Sequence, residues 1–375
     1  MFYHAVHFNK NNTEFVNTLR QRVNSYFTDN QLSKQANAQM IIKSFIMLAL
    51  YFVPFIVLLT DTISNPWEQL GLWLIMAIGM SGIGLGIMHD ANHGAYSKSK
   101  RTNDFIGMVI NLAGVSQLNW KIQHNVLHHC YTNIQGYDDS LDAGAMLRFS
   151  PHQPLLPRHR YQHIYAWFLY TLQTIMWALY TDFKRLNHYL KLGIIPGEVK
   201  PKQLNLELLG WKLFYFAFTL GLPLLLLSTP WWWTILFFLA MQLVAGFFLA
   251  LVFLVAHVMP PCDYPLPTEG GDIENHSLVH QIYTSCNFAT DSKWFSWFVG
   301  GLNFQIEHHL FPNICHVHYP EVAKILKLTT AEYNLPYYHY TTFWQAIVGH
   351  GEMLKMLGSE ENPEPQMAGV SAKLE

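Results

Sequence analysis

Hydrophobic and polar positions along this chain fall into long blocks. Four apolar stretches, at about 41–60, 67–88, 211–228 and 231–257, run almost free of charge. Stretches of roughly twenty such residues are what a hydrocarbon layer of about 30 Å requires. The first carries Lys43 at its inner end and accommodates Pro54 as a kink. The turn Asp61 to Pro66 leads into the second, which begins at Trp67, an aromatic suited to the membrane interface. Its face of Gly79, Ser81, Gly82, Gly84 and Gly86 fits close packing on a neighbouring helix. Thr229 and Pro230 turn the third stretch into the fourth, which starts at the belt Trp231, Trp232 and Trp233. At ~1.5 Å per residue the fourth reaches roughly 40 Å, so its inner end, with His257, projects beyond the lipid or tilts. Pro260 and Pro261 stop it.

The remaining blocks are shorter or mixed. Phe105 to Leu118 is too short to span and contains Gly107, Asn111 and Gly114, which predicts a re-entrant or interfacial segment. Ile164 to Tyr180, with Gln173 among its aromatics, is placed at the interface, because a span there would invert everything downstream. Within residues 1–40, Phe15, Leu19, Val23 and Tyr26 recur at helical spacing and predict an amphipathic helix on the membrane surface. Tyr131 to Arg160 reads as a polar cap loop, the chain beyond Cys262 as a further cap, and 358–375 as a disordered tail. The expected fold is all-α: a polytopic domain over 41–357 with four transmembrane helices in two hairpins, interfacial helices and a cytoplasmic helical cap.

Composition sharpens this picture. Only 13% of residues are charged, about half the share usual in soluble domains. Neither outer turn contains lysine or arginine, so the basic residues collect on the opposite side, which is then cytoplasmic. No basic groove interleaved with aromatics is present, which argues against nucleic acid as a partner. The four cysteines, Cys130, Cys262, Cys286 and Cys315, lack paired spacing and predict no disulfide framework. The N-terminus has no apolar core of a signal peptide, and His4 and His7 read as surface residues.

Three histidine clusters follow the membrane exits on that common side: H-D-A-N-H (His89 to His93), H-N-V-L-H-H (His124 to His129) and Q-I-E-H-H (Gln305 to His309). In the first, His89 and His93 are four apart and share a helical face, with Asp90 placed to accept an imidazole N–H. That pattern alone is weak in so histidine-rich a chain. The second repeats the spacing with His124 and His128 and adds His129. The third sets Gln305 and His309 on one face beside His308, with Gln305 open as a weak ligand, a donor to metal-bound solvent, or neither. His257, at the end of the fourth stretch, is the eighth candidate histidine. A single histidine is more often a satisfied core or surface residue, and His152, His159, His163, His188, His339 and His350 are read so. His276, His280, His316 and His318 are left open as outer partners. Three clusters gathered at the membrane mouths point instead to a joint metal site. Imidazole does not choose among zinc, copper, iron and nickel, but eight ligands exceed one four-coordinate ion and fit two. The H-E-x-x-H pattern of a zinc protease is absent.

The order H-D-x-x-H, H-x-x-x-H-H, Q-x-x-H-H resembles the membrane fatty acid desaturases. The run Gln305 to Pro312 (Q-I-E-H-H-L-F-P) is similar to the branch containing front-end desaturases, as are Gly114 to Trp120 (G-V-S-Q-L-N-W) and Thr284 to Phe288 (T-S-C-N-F). The resemblance covers roughly Gly71 to Tyr319. It implies a non-haem di-iron centre on His89, His93, His124, His128, His129, His257, His308 and His309. That centre would use dioxygen and two electrons to place a cis double bond in an acyl-CoA or lipid-linked acyl chain. Trp120, one helical turn before His124, is a candidate tunnel wall. No His-Pro haem signature of a fused cytochrome b5 occurs in the chain, so the expected electron donor is separate, a ferredoxin or a cytochrome b5 with its reductase. The expected location is a bacterial inner membrane or the endoplasmic reticulum. The alternatives are a hydroxylase or ketolase of the same histidine-box superfamily and, from another class, a metal transporter.

Overall fold

A computed structural model describes residues 6–198 and 200–359. His4 and nearly all of the predicted tail lie outside the described residues. The chain is mostly helical and forms two compact units, one of Met1–Asn37, Gln123–Ala166 and Leu251–Glu375, the other of Ala38–Ile122 and Trp167–Ala250.

The second unit holds the membrane helices. Among the described residues four are long and apolar enough to cross: Ala38–Leu59, Pro66–Asn92, Pro201–Leu226 and Trp231–Leu254. Side chains such as Phe45, Ile56, Leu213, Leu225 and Trp231 point outward from them, the arrangement of helices solvated by lipid rather than water. The small-residue face of the second helix does what its composition predicts. A Cβ on Gly79 would lie 2.5 Å from the backbone nitrogen of Tyr51, so glycine there lets the first two helices approach backbone to backbone. The two hairpin turns meet at one end of this unit, where Ser228 N donates to Asp61 Oδ1 (3.0 Å) and Gln69 Nε2 donates to Thr229 Oγ1 (2.6 Å).

Two boundaries differ from the apolar pattern. The third helix begins at Pro201, ten residues before the apolar run, because proline opens a helix at no cost to its missing N–H and the first turns mix polar with apolar residues. The fourth ends at Leu254. His257 is therefore carried not by an overlong helix but by one tightened turn, in which His257 N and Val258 N both donate to Leu254 O. The 105–118 stretch breaks as its glycines predict: a helix Lys100–Gly107, a 3-10 run Met108–Ala113, and a left-handed Gly114 at φ +77°.

The first unit is the cap. The apolar stripe of the helix Thr13–Asp29, expected to face a membrane surface, is covered by protein: Phe15, Leu19, Val23 and Phe27 are buried in one cluster with Tyr319, Val322 and Leu326 of the helix Tyr319–Glu332. Arg22 donates to Glu332 across the same seam at 2.7 Å. An amphipathic stripe specifies only that it will be covered, and here protein covers it. Two short parallel pairings, His7–Phe8 with Asp272–Ile273 and Asn287–Phe288 with His339–Tyr340, pin the loops. The 131–160 segment is an ordered cap loop, in which Arg148 donates to the carbonyls of Gln153, Pro151 and Leu357. All four cysteines are free thiols.

Candidate metal centre

The second cluster sits where the helix Gln117–Lys121 widens into a π-helical turn, Ile122–His128. Such turns use i to i+5 pairing and are frequent at functional sites. The widening changes the partner expected from α-helical spacing. His124 meets His129, five residues on, with their Nε2 atoms 3.3 Å apart. His129 Nε2 is also 2.9 Å from His308 Nε2. Nitrogens around one tetrahedral ion at ~2.0–2.1 Å lie about 3.4 Å from each other, so this spacing is close to that of ligands sharing an ion.

The ligand nitrogens of His128, His257 and His309 form one group within 4.8 Å of one another, and those of His129, His308 and His309 form another. The groups share His309. The helix Gln305–Leu310 supplies His308 and His309 and is wholly buried. Glu307, between Gln305 and the histidines, anchors it: Asn287 Nδ2 and Tyr337 Oη donate to its two oxygens at 2.8 Å each, while Asn287 Oδ1 accepts from Ile306 N. Burial pushes the Glu307 carboxyl up to about 7, against the pull of these hydrogen bonds.

In four of the histidines Nδ1 faces an oxygen. His128 Nδ1 is 3.0 Å from Asp138 Oδ2, His257 Nδ1 is 3.0 Å from Thr284 O, His308 Nδ1 is 3.1 Å from Tyr319 Oη, and His309 Nδ1 is 2.7 Å from Gln281 Oε1. The Gln281 amide is oriented by its own Nε2, which donates to His129 O at 2.9 Å. A carbonyl or carboxylate only accepts, so in His128, His257 and His309 the imidazole proton sits on Nδ1 and the lone pair on Nε2, whereas the Tyr319 hydroxyl both donates and accepts and orients the His308 ring without choosing its tautomer. His128 Nε2 is buried with no hydrogen-bond partner. A buried lone pair is costly unless something electropositive meets it, and a cation bound by neutral imidazoles is the simplest such group. Burial first, and then neighbouring His128, lowers His257 to about 3, which keeps it neutral and able to ligate at physiological pH. For Asp138 burial opposes ionisation, but His128, Ser140 and the Asn133 N–H outweigh it and hold the carboxyl below its ordinary value.

The structure therefore brings together His124, His128, His129, His257, His308 and His309 in the cap unit. Gln305 belongs with them, its amide nitrogen 2.9 Å from His257 Nε2. In the membrane unit His89 and His93 form a pair, ring centroids 4.8 Å apart, with Asp90 buried beside them. Trp120 lies edge-on to both rings, at 5.5 and 5.6 Å. It is a wall against the first cluster as well as a residue one turn before the second.

Among the histidines left open, His280 Nε2 donates to Thr132 O (2.8 Å), beside Gln281, and burial lowers it to about 4. His276 caps its own helix by accepting from Leu278 N, and His318 reaches Gln35 O. His350, read as ordinary, is fully buried with Nδ1 on Val258 O (2.9 Å). Asp138, Thr284, Tyr319 and Gln281 were not singled out by the sequence reading, although Thr284 begins the T-S-C-N-F run.

Residues 65–341 match the family described as fatty acid desaturase. The chain is 35% identical to an sn-1 linoleoyl-lipid 6-desaturase of Synechocystis sp. over 348 residues, covering 92% of this chain and 95% of that protein. It is 34% identical to an sn-1 linoleoyl-lipid 6-desaturase of Arthrospira platensis, covering 93% and 94%. To an acyl-lipid (8-3)-desaturase of Physcomitrium patens it is also 34% identical, covering 93% and 73%. All three histidine clusters fall inside the matched span, and similarity of this extent over nearly the whole chain leaves one conclusion: it belongs to the fatty acid desaturase family.

Proposed function

We propose that the protein is an acyl-lipid desaturase that inserts a cis double bond into an already unsaturated, lipid-linked chain, as the linoleoyl-lipid relatives are named for. The single observation that carries the metal chemistry is that His128, His257 and His309, whose ligand nitrogens lie within 4.8 Å of one another, each turn Nδ1 to an acceptor oxygen and so keep the lone pair on Nε2. In this reading His89, His93, His124, His128, His129, His257, His308 and His309 hold two iron ions. Inclusion of His89 and His93 rests on the order of the family's three clusters. Two bound irons, with dioxygen, two electrons and two protons, supply the oxidation that takes two hydrogens from adjacent acyl carbons and leaves a double bond and two waters.

The chain's own residues provide the remainder. Asp138, Thr284 and Gln281 fix tautomer and ring orientation, and Tyr319 fixes the orientation of the His308 ring. Trp120 lines the path of the acyl chain against the first cluster. Burial of the cap histidines keeps water from the oxidising centre. We place the clusters on the cytoplasmic side, and the electrons come from a separate ferredoxin or cytochrome b5.

Expression in a host fed linoleate, with double bonds localised by mass spectrometry, tests the assignment. A new cis double bond is expected, and it should vanish in His309→Ala while the protein remains in the membrane fraction. Hydroxylated chains without a new double bond would overturn it in favour of the hydroxylase alternative.

A further inference from the structure

The membrane unit contains a buried ion pair with no part in ligand binding. Lys212, on the third long helix, and Asp182, which opens the helix Asp182–Leu192, are 2.5 Å apart and almost wholly buried. Two opposite charges removed from water are costly unless other polar groups complete their coordination. Here all but one of the completing groups come from one segment, residues 114–119. Lys212 Nζ donates to Gly114 O at 2.6 Å and to Trp177 O at 2.9 Å. Asp182 accepts from Ser116 N at 2.8 Å and from Asn119 Nδ2 at 3.2 Å, and its backbone carbonyl takes a second Asn119 contact at 2.7 Å. The segment also packs closely on the third long helix, since a Cβ on left-handed Gly114 would lie 2.8 Å from the Tyr215 ring. One residue beyond Asn119 is Trp120, whose ring abuts His89 and His93.

We propose that Lys212 and Asp182 are a positioning pair for acyl-chain register: by fixing the turn Gly114–Asn119 they set where Trp120 stands against the first cluster, and hence which carbons come to rest there. This rests on the desaturase reading above. The pair touches neither substrate nor metal. Its effect passes through the backbone of one turn and appears at one aromatic ring. Exchanging the pair for apolar groups removes the anchor without removing a ligand, so the expected consequence is a shift of product position rather than loss of metal.

The test compares wild type, Lys212→Met, Asp182→Asn, Trp120→Ala and the combination Lys212→Met with Trp120→Ala, each full length in the membranes of the linoleate-fed host. Double-bond positions are localised by mass spectrometry, and iron content is measured on purified protein. The expected result is a change of about tenfold in the ratio of product positions in each single variant, the lower end of what one methylene of discrimination gives. The combined variant should shift no further than Trp120→Ala alone, and iron content should be unchanged. Where Lys212→Met does not accumulate, Asp182→Asn, which keeps shape and an acceptor for Ser116 N, carries the comparison. Variants that lose yield while keeping the wild-type product ratio overturn the proposal and leave the desaturase reading standing. Absence of any new double bond in wild type overturns both.

Discussion

Replacement of Asp138 tests whether the anchored imidazoles are a metal site. The carboxylate is buried and receives four hydrogen bonds: His128 Nδ1 (3.0 Å) and Asn133 N (3.0 Å) on Oδ2, and Ser140 N (2.9 Å) and Ser140 Oγ (2.5 Å) on Oδ1. An asparagine offers one oxygen. With its oxygen toward Oδ2's position, His128 keeps its tautomer and only Ser140 N loses an acceptor, because the Ser140 hydroxyl can rotate to accept instead. With the amide nitrogen there, His128 must move its proton to Nε2 and cease to be a ligand. The first orientation costs about 1–3 kcal/mol for one unsatisfied donor and exchanges a charge-assisted bond, roughly twice as strong as a neutral one, for a neutral bond.

Asp138→Asn should therefore weaken metal binding by about tenfold, and Asp138→Ala, which removes every acceptor, by about 100-fold, the two ends of the range for partners of ligating histidines. Iron retained by purified protein against a graded series of chelator measures this. Thermal melting of the iron-free protein separates metal affinity from folding. In a His128→Ala background the Asp138 substitutions should change iron affinity no further, since their route is gone. Iron affinity unchanged in Asp138→Ala, with only the metal-free melting temperature lowered, would refute the reasoning and make Asp138 a loop anchor alone.

Acid should loosen the cap in a definite window. His350 has its folded value depressed by burial to about 4, so the unfolded chain binds the extra proton and stability falls as pH drops from about 6.5 toward 4. His350→Asn should reduce the pH slope of denaturant stability there by about 1.4 kcal/mol per pH unit, and an unaltered slope would count against it. At Gly79, whose added Cβ meets the Tyr51 backbone, Gly79→Ala should cost about 1–3 kcal/mol, read as a lower melting temperature in detergent; an unchanged midpoint would show that the helices part freely. For sidedness, cysteines replacing exposed Ser64 and Ser99 in a Cys130→Ser background should react differently with an impermeant thiol reagent, Ser64→Cys from outside and Ser99→Cys only after permeabilisation. Equal labelling of intact cells would overturn the placement of the clusters.

The spans were legible because hydrocarbon imposes one rule, a long uncharged helix, and sequence states it directly. The start of the third helix escaped that rule. Its start is set by Pro201, and its first two turns carry Lys202, Gln203, Asn205 and Glu207, which an apolar scan passes over. The stripe Phe15, Leu19, Val23 was legible as buried but not as to what buries it. Within the second cluster, spacing favoured His124 with His128, whereas the π-turn joins His124 to His129. Nothing in I-Q-H-N-V-L-H announces that extra residue in the turn.

The deeper gap is between ligands and the atoms that aim them. A histidine cluster advertises itself because imidazole is a metal-binding side chain and three such clusters recur at the membrane exits. The acceptors behind it are chosen by the fold. Asp138 is one of three nearby aspartates, with Asp139 and Asp142, in a polar loop, and only the loop's path brings it to Nδ1 of His128. For His257 the acceptor is the carbonyl of Thr284, which every residue possesses and no side-chain pattern marks. Yet these oxygens decide whether each Nε2 carries a lone pair or a proton, and so whether the histidine is a ligand at all. A chain could keep His128 and His309 and still lose their Nε2 lone pairs through Asp138 and Gln281. The clusters identify the chemistry, and the acceptors determine whether it is available.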